Sequence, residues 1–445
     1  MVTYNCERCH KKFDRKYDYD RHKKRKKPCE IVKQLTFIDL CCGIGGFHYA
    51  LSNIGYKCVM ACDINKDCRD NYELNHKMKV DGDITQLNIE SIPDFDILCS
   101  GFPCQPFSKS GHQKGFEDER GNIFFHICKI IKHHKPKYII LENVRNLSSH
   151  DKGNTWKTIH THLDKLNYFT YEQPIILNTL YFGVPQSRER VVILCKRKDI
   201  GTLKELPKLS KKNIKKTSLE SIIEEDVDKK YNLSEKLKIT EKVWDEFLNI
   251  CNENNISIPK FPIWTDWWDS DGENTTITKY DCKKSQEENK KCIKQNQIQF
   301  YKKYKNWIDK NRQFYEKHIN LLKPWITKSR QNSLWLGAVR KMEWQTGKNN
   351  LNMNSVLWSP RGSGVRIKNI DYSPTLVAMA SMIPIFGPKS RYLTPRECAR
   401  LQSFPEDYIL HKNDKISYSQ FGNAVNVKMI ERCARFLIND ESLII

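Results

Sequence analysis

Phe37-Ile38-Asp39-Leu40-Cys41-Cys42-Gly43-Ile44-Gly45-Gly46-Phe47 decides how this chain of 445 residues folds. The apolar run Leu35 to Leu40 reads as a buried strand, the glycines turn the chain, and Phe47 to Asn53 reads as a short helix that stops before Gly55. A glycine-rich turn between a strand and a helix lets backbone N–H groups approach a ligand closely, as in nucleotide-type cofactor sites. The same alternation continues outward. Tyr56 to Ala61 reads as a second strand with Asp63 just past its end, a third strand precedes Asp83, and Phe95 to Cys99 is a fourth. Asn122 to His134 is an amphipathic helix with Ile123, Phe124, Ile127, Ile130 and Ile131 on one face, followed by strands at Tyr138 to Leu141 and Val191 to Cys195. Strands alternating with helices predict an α/β fold, a Rossmann-like sheet with helices on both faces.

Open sheets of this kind place ligands at the C-terminal ends of their strands. Gly101-Phe102-Pro103-Cys104-Gln105-Pro106-Phe107-Ser108 falls there, directly after the fourth strand. Pro103 and Pro106 fix φ on either side of Cys104, which suits rigid presentation of a nucleophile. The next strand delivers Glu142 to the same edge, and Arg188 and Arg190 precede Val191. A carboxyl group following a buried strand, beside a thiol, is a catalytic candidate. Residues 108–120, with Gly111 and Gly115, read as a loop that closes over the site.

Lys and Arg total 75 against 53 Asp and Glu, a formal charge of +22. Such an excess favours a polyanionic partner, nucleic acid first and an anionic membrane surface second. No apolar run approaches the roughly 20 residues that a spanning helix needs, so no membrane role is expected. The 17 cysteines are scattered through apolar runs as well as loops, which fits a reducing, intracellular compartment.

Residues 1–34 form a separate unit. Cys6, Cys9 and His22 fall on the spacing of a ββα zinc finger, and Tyr4, Phe13 and Tyr19 on its small core; Cys29 is the fourth expected ligand, after a longer gap than usual. Arg15, Asp18 and Arg21 occupy the base-reading positions of such a finger's helix. Between residues 198 and 371 the composition turns to Lys and Asn, and this stretch holds nine of the ten tryptophans, which predicts a second core of its own.

Taken in order, Phe37 to Phe47, Gly82-Asp83-Ile84-Thr85, the Cys104 loop, Glu142-Asn143-Val144, Gln186-Ser187-Arg188-Glu189-Arg190, Arg396-Glu397-Cys398-Ala399-Arg400-Leu401-Gln402 and Gly422-Asn423-Ala424-Val425 closely resemble the DNA (cytosine-5) methyltransferase family. The likeness covers roughly residues 35–197 and 372–434. It implies S-adenosylmethionine as cofactor, held by Phe37, Asp39, Gly43, Gly45, Gly46, Asp63, Ile64, Asp83, Ile84, Pro103, Asn423 and Val425. By the same resemblance Cys104 is the nucleophile, Glu142 bonds cytosine N3 and the exocyclic amine, and Arg188, with Arg190 beside it, holds O2. Where the family usually stacks Phe on adenine, this chain has Cys41. The domain expectation is 1–34 zinc finger and basic linker, 35–197 cofactor-binding catalytic domain, 198–371 target recognition, and 372–445 a return to the catalytic domain. The expected partners are double-stranded DNA and, for a restriction–modification role, a cognate endonuclease; a monomer is expected. Three rival readings are a cytosine-5 RNA methyltransferase, a nicotinamide-dependent oxidoreductase and a non-catalytic DNA-binding protein. The oxidoreductase leaves Cys104, Glu142 and the arginines unexplained.

Overall fold

The computed structural model of the protein describes residues 4–6, 12–25, 29, 34–103, 123–268, 286–347, 352–379 and 382–444, with side chains described throughout except at 5, 12, 211 and 286–301. Cys9, Cys104 and the 108–120 loop lie outside these residues. The chain forms two compact units, one of residues 1–217, 374–378 and 395–445, the other of 218–373 and 379–394. Composition alone places the first change at 198. The two units divide at 217/218, and within the first the Tyr171 hydroxyl donates to the Lys204 carbonyl at 2.6 Å.

The first unit carries β1 (Thr36–Leu40), α1 (Gly46–Asn53), β2 (Lys57–Cys62), α2 (Lys66–His76), β3 (Ile97–Ser100), α3 (Ile123–His134), β4 (Tyr138–Val144), α4 (Asn154–Lys165), β5 (Tyr168–Phe169), β6 (Ile175–Asn178) and β7 (Glu189–Arg197). The sheet order is β2-β1-β3-β4-β7-β5, with β6 also pairing β7. The first four strands are parallel, and β7 reverses the direction against β4. The third strand expected before Asp83 does not form; that stretch contributes only a single bridge of Asp81 to Cys62. Its Gly82 and Asp83 turn the chain at once into a 3-10 turn capped by the Asp83 carboxylate, which accepts from the Thr85 N–H at 2.8 Å.

Alternate residues of these strands are buried on opposite faces, so helices must cover both. On one face Ile38, Leu40, Leu98, Ile139, Leu141, Val191 and Ile193 pack with Phe124, Ile127 and Ile131 of α3 and Ile159 and Leu163 of α4. Each such side chain contributes about 1.5–3 kcal/mol when fully withdrawn from water. Near the other face lie α1 and, from the C-terminal return, the helix Val427–Ile438, which contacts α1, β4 and β7. Asp96 ties the strand starts together: it accepts from the Thr36 N–H at 3.1 Å and pairs with Lys137 Nζ at 2.9 Å.

The second unit carries α5 (Glu235–Glu253), β8 (Ile263–Trp264), α6 (Gln286–Lys317), α7 (Ile319–Arg330), β9 (Lys341–Trp344), β10 (Leu357–Arg361), β11 (Gly364–Lys368), β12 (Ile385–Phe386) and β13 (Arg391–Tyr392). Its sheet runs β8-β9-β11-β10-β12-β13. The tryptophans are its core: Trp244, Trp268, Trp325, Trp335, Trp344 and Trp358 share one cluster, and Trp264, Trp267 and Trp307 a second. The first unit then resumes with α8 (Pro395–Leu401), α9 (Asp414–Asn423) and α10 (Val427–Ile438).

Candidate active site

A cavity of about 460 Å³ opens at the C-terminal ends of β1 to β4. Its wall includes Gly43, Gly46, Asp63, Ile64, Asp83, Ile84, Pro103, Asn423 and Val425 of the expected cofactor set, and Glu142, Arg188 and Arg190 of the expected catalytic set. Three expected cofactor residues are absent from it. Phe37 meets the His48 ring edge-on at 5.8 Å and Asp39 is fully buried. Burial, then the neighbouring Asp63, pushes the Asp39 carboxyl well above the usual range, and the His48 backbone N–H opposes this. Gly45 faces the interior behind the loop.

The loop is shaped by glycine. Gly43 and Gly45 adopt φ of 53° and 85°, and a Cβ on Gly45 would stand 2.1 Å from His76 Nε2. A Cβ on Gly46 would meet Val425 at 2.5 Å, so the chain's C-terminal return closes against the loop only because no side chain intervenes. His76, unremarked in the sequence, fills the space behind. Its ring stacks on His48 at 3.8 Å, and His48 Nδ1 lies 2.7 Å from the Tyr72 hydroxyl. Burial lowers His48 to a pKa of about 4; burial and then His48 lower His76 to about 3, against a hydrogen bond to the Ile44 carbonyl. Both rings are therefore neutral supports of the loop at ordinary pH.

Asp63 fixes the loop's other side, with Oδ2 accepting from the Gly43 N–H and Oδ1 from the Asn65 N–H, each at 2.8 Å. Each oxygen keeps capacity for a further donor such as a hydroxyl. Cys41 holds φ at 53° and lines the cavity, its thiol pushed up to about 12 by burial first and Asp63 second.

Glu142 lies within β4, which runs three residues further than sequence suggests, and it pairs in register with Val192. Arg190, paired with Val144, is thus its diagonal neighbour on the same face. Arg190 Nε lies 2.9 Å from Glu142 Oε1. The contact is a buried ion pair, and a carboxylate oxygen has capacity for a further donor. Burial raises the Glu142 carboxyl above its usual range, with Arg190 and then Arg188 opposing.

Arg188 lines the same cavity. Its guanidinium, 1% exposed, donates to the carbonyls of Leu376 at 3.4 Å, Gly422 at 3.1 Å and Ala424 at 2.7 Å. Burial, then Arg190, lowers it to about 9. It is a strut under Asn423. Asn143 is a second residue that sequence reasoning passed over: its Nδ2 donates to the Phe102 carbonyl at 2.9 Å, holding the segment that leads to Pro103.

The cavity is within the size range of small-ligand sites, and the N-terminal end of α1, the Asp63 carboxylate and the glycine backbone offer the donors and acceptors that S-adenosylmethionine requires. A family model described as C-5 cytosine-specific DNA methylase matches residues 35–439. The chain belongs to this family. It is 31% identical over 405 residues to the type II methyltransferase M.HhaI of Haemophilus parahaemolyticus, spanning 90% of this chain and 94% of that one. It is 32% identical over 432 residues to the type II methyltransferase M.BanI of Aneurinibacillus aneurinilyticus, spanning 90% and 94%. A solved E. coli structure described as a prophage-encoded DNA modification methyltransferase shares the fold, with a TM-score of 0.52 at 19% identity over 91% of this chain and 99% of that one. The protein is accordingly a DNA (cytosine-5-)-methyltransferase, with S-adenosylmethionine as methyl donor and DNA as substrate. The RNA, oxidoreductase and non-catalytic readings fall away. No helix among the described residues is long and apolar enough to cross a membrane.

At the N-terminus, strands Tyr4–Asn5 and Lys12–Phe13 pair antiparallel and helix Lys16–Lys23 follows. Tyr4, Phe13 and Tyr19 pack together, with ring distances of 5.7 Å and 5.9 Å to Tyr19. The ligand atoms of Cys6, His22 and Cys29 lie within 4.8 Å of one another, although Cys29 had the least regular spacing. Arg15 and Arg21 both pair with Asp18, at 2.8 Å and 3.1 Å.

Proposed function

We propose that methyl transfer proceeds through a covalent adduct of Cys104 with cytosine C6, in a base extruded from duplex DNA. The observation that carries this reading is the buried Glu142–Arg190 pair, which shares one cavity with the glycine loop and with Pro103, the residue before Cys104. Cytosine C5 is too weak a nucleophile to take a methyl group unaided. Addition of the Cys104 thiolate forms the S–C6 bond and makes C5 enamine-like. S-adenosylmethionine supplies an electrophilic methyl whose bond electrons leave with sulfur. Loss of the C5 proton and then of the thiolate restores the aromatic ring. Glu142 accepts from the exocyclic amine and, with its raised pKa, can hold a proton toward N3 as charge develops there. Arg190, ionised beside it, takes the O2 role first expected of Arg188, and Arg188 positions the Gly422–Ala424 segment. Asp63 reads the ribose hydroxyls and Asp83 the adenine amine. Extruding the base costs a few kcal/mol of unstacking.

Sequence choice belongs to the unit of residues 218–373 and 379–394. Residues 1–34 bind one structural zinc through Cys6, Cys9, His22 and Cys29 and add DNA contacts. The enzyme acts as a monomer inside the cell, as the modification half of a restriction–modification pair. Bisulfite sequencing of DNA from cells expressing the protein should show protected cytosines within one short sequence. DNA left fully convertible would overturn the reading.

A further inference from the structure

The sheet of the second unit has two unlike faces. In β9, β10 and β11, Met342, Trp344, Trp358, Val365 and Ile367 pack into the tryptophan core. Register places Glu343 opposite Arg366 and Arg366 opposite Ser359, so Glu343, Arg361, Arg366 and Lys368 share the other face. Three cations thus sit around one carboxylate. That carboxylate is already engaged: Glu343 Oε2 accepts from Arg366 Nε at 2.8 Å and from Gln345 Nε2 at 3.0 Å. Neither Arg361 nor Lys368 has an acidic hydrogen-bond or ion-pair partner among the described residues, and Arg361 Nε is buried with none at all. Burial first, and the neighbouring cations next, lower the pKa of both side chains. Such crowding is unfavourable unless an anion enters. The β10–β11 turn is open beside it: Gly362 and Ser363 are exposed, and a Cβ on Gly362 would meet nothing.

We propose that Arg361, Lys368 and the Gly362–Ser363 turn form a clamp for backbone phosphates of the DNA substrate. The charge is complementary, the exposed glycine turn lets backbone N–H groups approach an oxyanion, and the enzyme's substrate supplies phosphates in series. A phosphate contact positions the duplex without reading its sequence. Glu343 limits the clamp's strength by occupying Arg366.

The inference rests on the DNA reading of function, and the test lets the two fail separately. Full-length protein is titrated by fluorescence anisotropy onto a labelled duplex cut from DNA that the protein methylates, over a series of salt concentrations. Arg361→Gln with Lys368→Gln should flatten the slope of log Kd against log salt by about 1.8, at roughly 0.9 for each phosphate lost. Glu343→Gln should tighten binding and steepen the slope. Arg361→Lys with Lys368→Arg should keep the parent slope. Tryptophan fluorescence of the second unit's core monitors its folding, and if the double variant fails that check, the single Lys368→Gln should flatten the slope by about half as much. A parent-like slope in a charge-removing variant with the parent's tryptophan fluorescence overturns the clamp while leaving methyl transfer untouched. A parent chain that methylates no cytosine removes the underlying function instead.

Discussion

Arg190 Nε stands 2.9 Å from Glu142 Oε1, with the two side chains only 10% and 8% exposed. Two charges so withdrawn from water depend on each other, because removing either leaves its partner uncompensated in a low dielectric. The diagonal register of β4 and β7 enforces the pairing.

Glu142→Gln should lower kcat by about 10²- to 10³-fold, the usual cost of one donor or acceptor aimed at developing charge. It should also change the pH profile. Burial raises the Glu142 pKa above its ordinary value, so the proton it holds toward N3 is lost, and activity in the parent falls, as pH rises through that raised value. Gln cannot titrate, and the limb assigned to this group should vanish from kcat against pH. The stability contribution has a fixed sign: a raised folded-state pKa favours folding below 4.5 and loses that contribution as pH rises through the folded value.

Arg188→Ala should act on the fold before the chemistry. It strips donors from the carbonyls of Leu376, Gly422 and Ala424, and buried groups left unpaired cost about 1–3 kcal/mol each. Denaturant unfolding of the first unit should shift by several kcal/mol, whereas Arg190→Ala should depress kcat more than stability. The reverse ordering would return the substrate role to Arg188.

The two arginines show what a single sequence reveals and what it hides. Gln186-Ser187-Arg188-Glu189-Arg190 announces a basic pair, but their separate tasks depend on register with Glu142 and on carbonyls more than 180 residues away. Alternation puts Phe37 and Asp39 on the strand face opposite Ile38 and Leu40, and all four are buried. The alternating strands and helices, Asp63 and the Gly43–Gly46 turn were legible because local pattern determines them. His76 was not, for its place behind Gly45 comes from packing α2 against the loop.

The stacked His48 and His76 predict acid lability of the cofactor loop. Their folded-state values of about 4 and about 3 lie below the ordinary 6.5, so the unfolded chain binds more protons between these limits. Their contribution to stability is complete above about pH 6.5 and is lost as pH falls toward 4 and 3. His76→Phe keeps the ring without the proton and should flatten the fall of Tm with acid over this range. An unchanged slope would mean that the rings do not titrate on unfolding.

Residues 1–34 should fold only with metal, since so short a segment lacks a core able to hold it. Metal analysis of the full chain should find about one zinc, as for a single structural site. A truncation starting near Val32 should lose it, keep kcat, and bind DNA more weakly with a shallower salt dependence. Zinc-free full-length protein would reduce the segment to a basic arm.

Covalent catalysis by Cys104 is the centre of this account, and a mechanism-based trap tests it most directly. Duplex DNA carrying 5-fluorocytosine at the methylated position cannot lose the C5 substituent as a proton, so the S–C6 bond should persist after methyl transfer. The parent chain with S-adenosylmethionine should give a protein–DNA complex stable to SDS, and Cys104→Ala should give none. Trapping that survives in Cys104→Ala, or a parent that methylates DNA without ever being trapped, would contradict the mechanism.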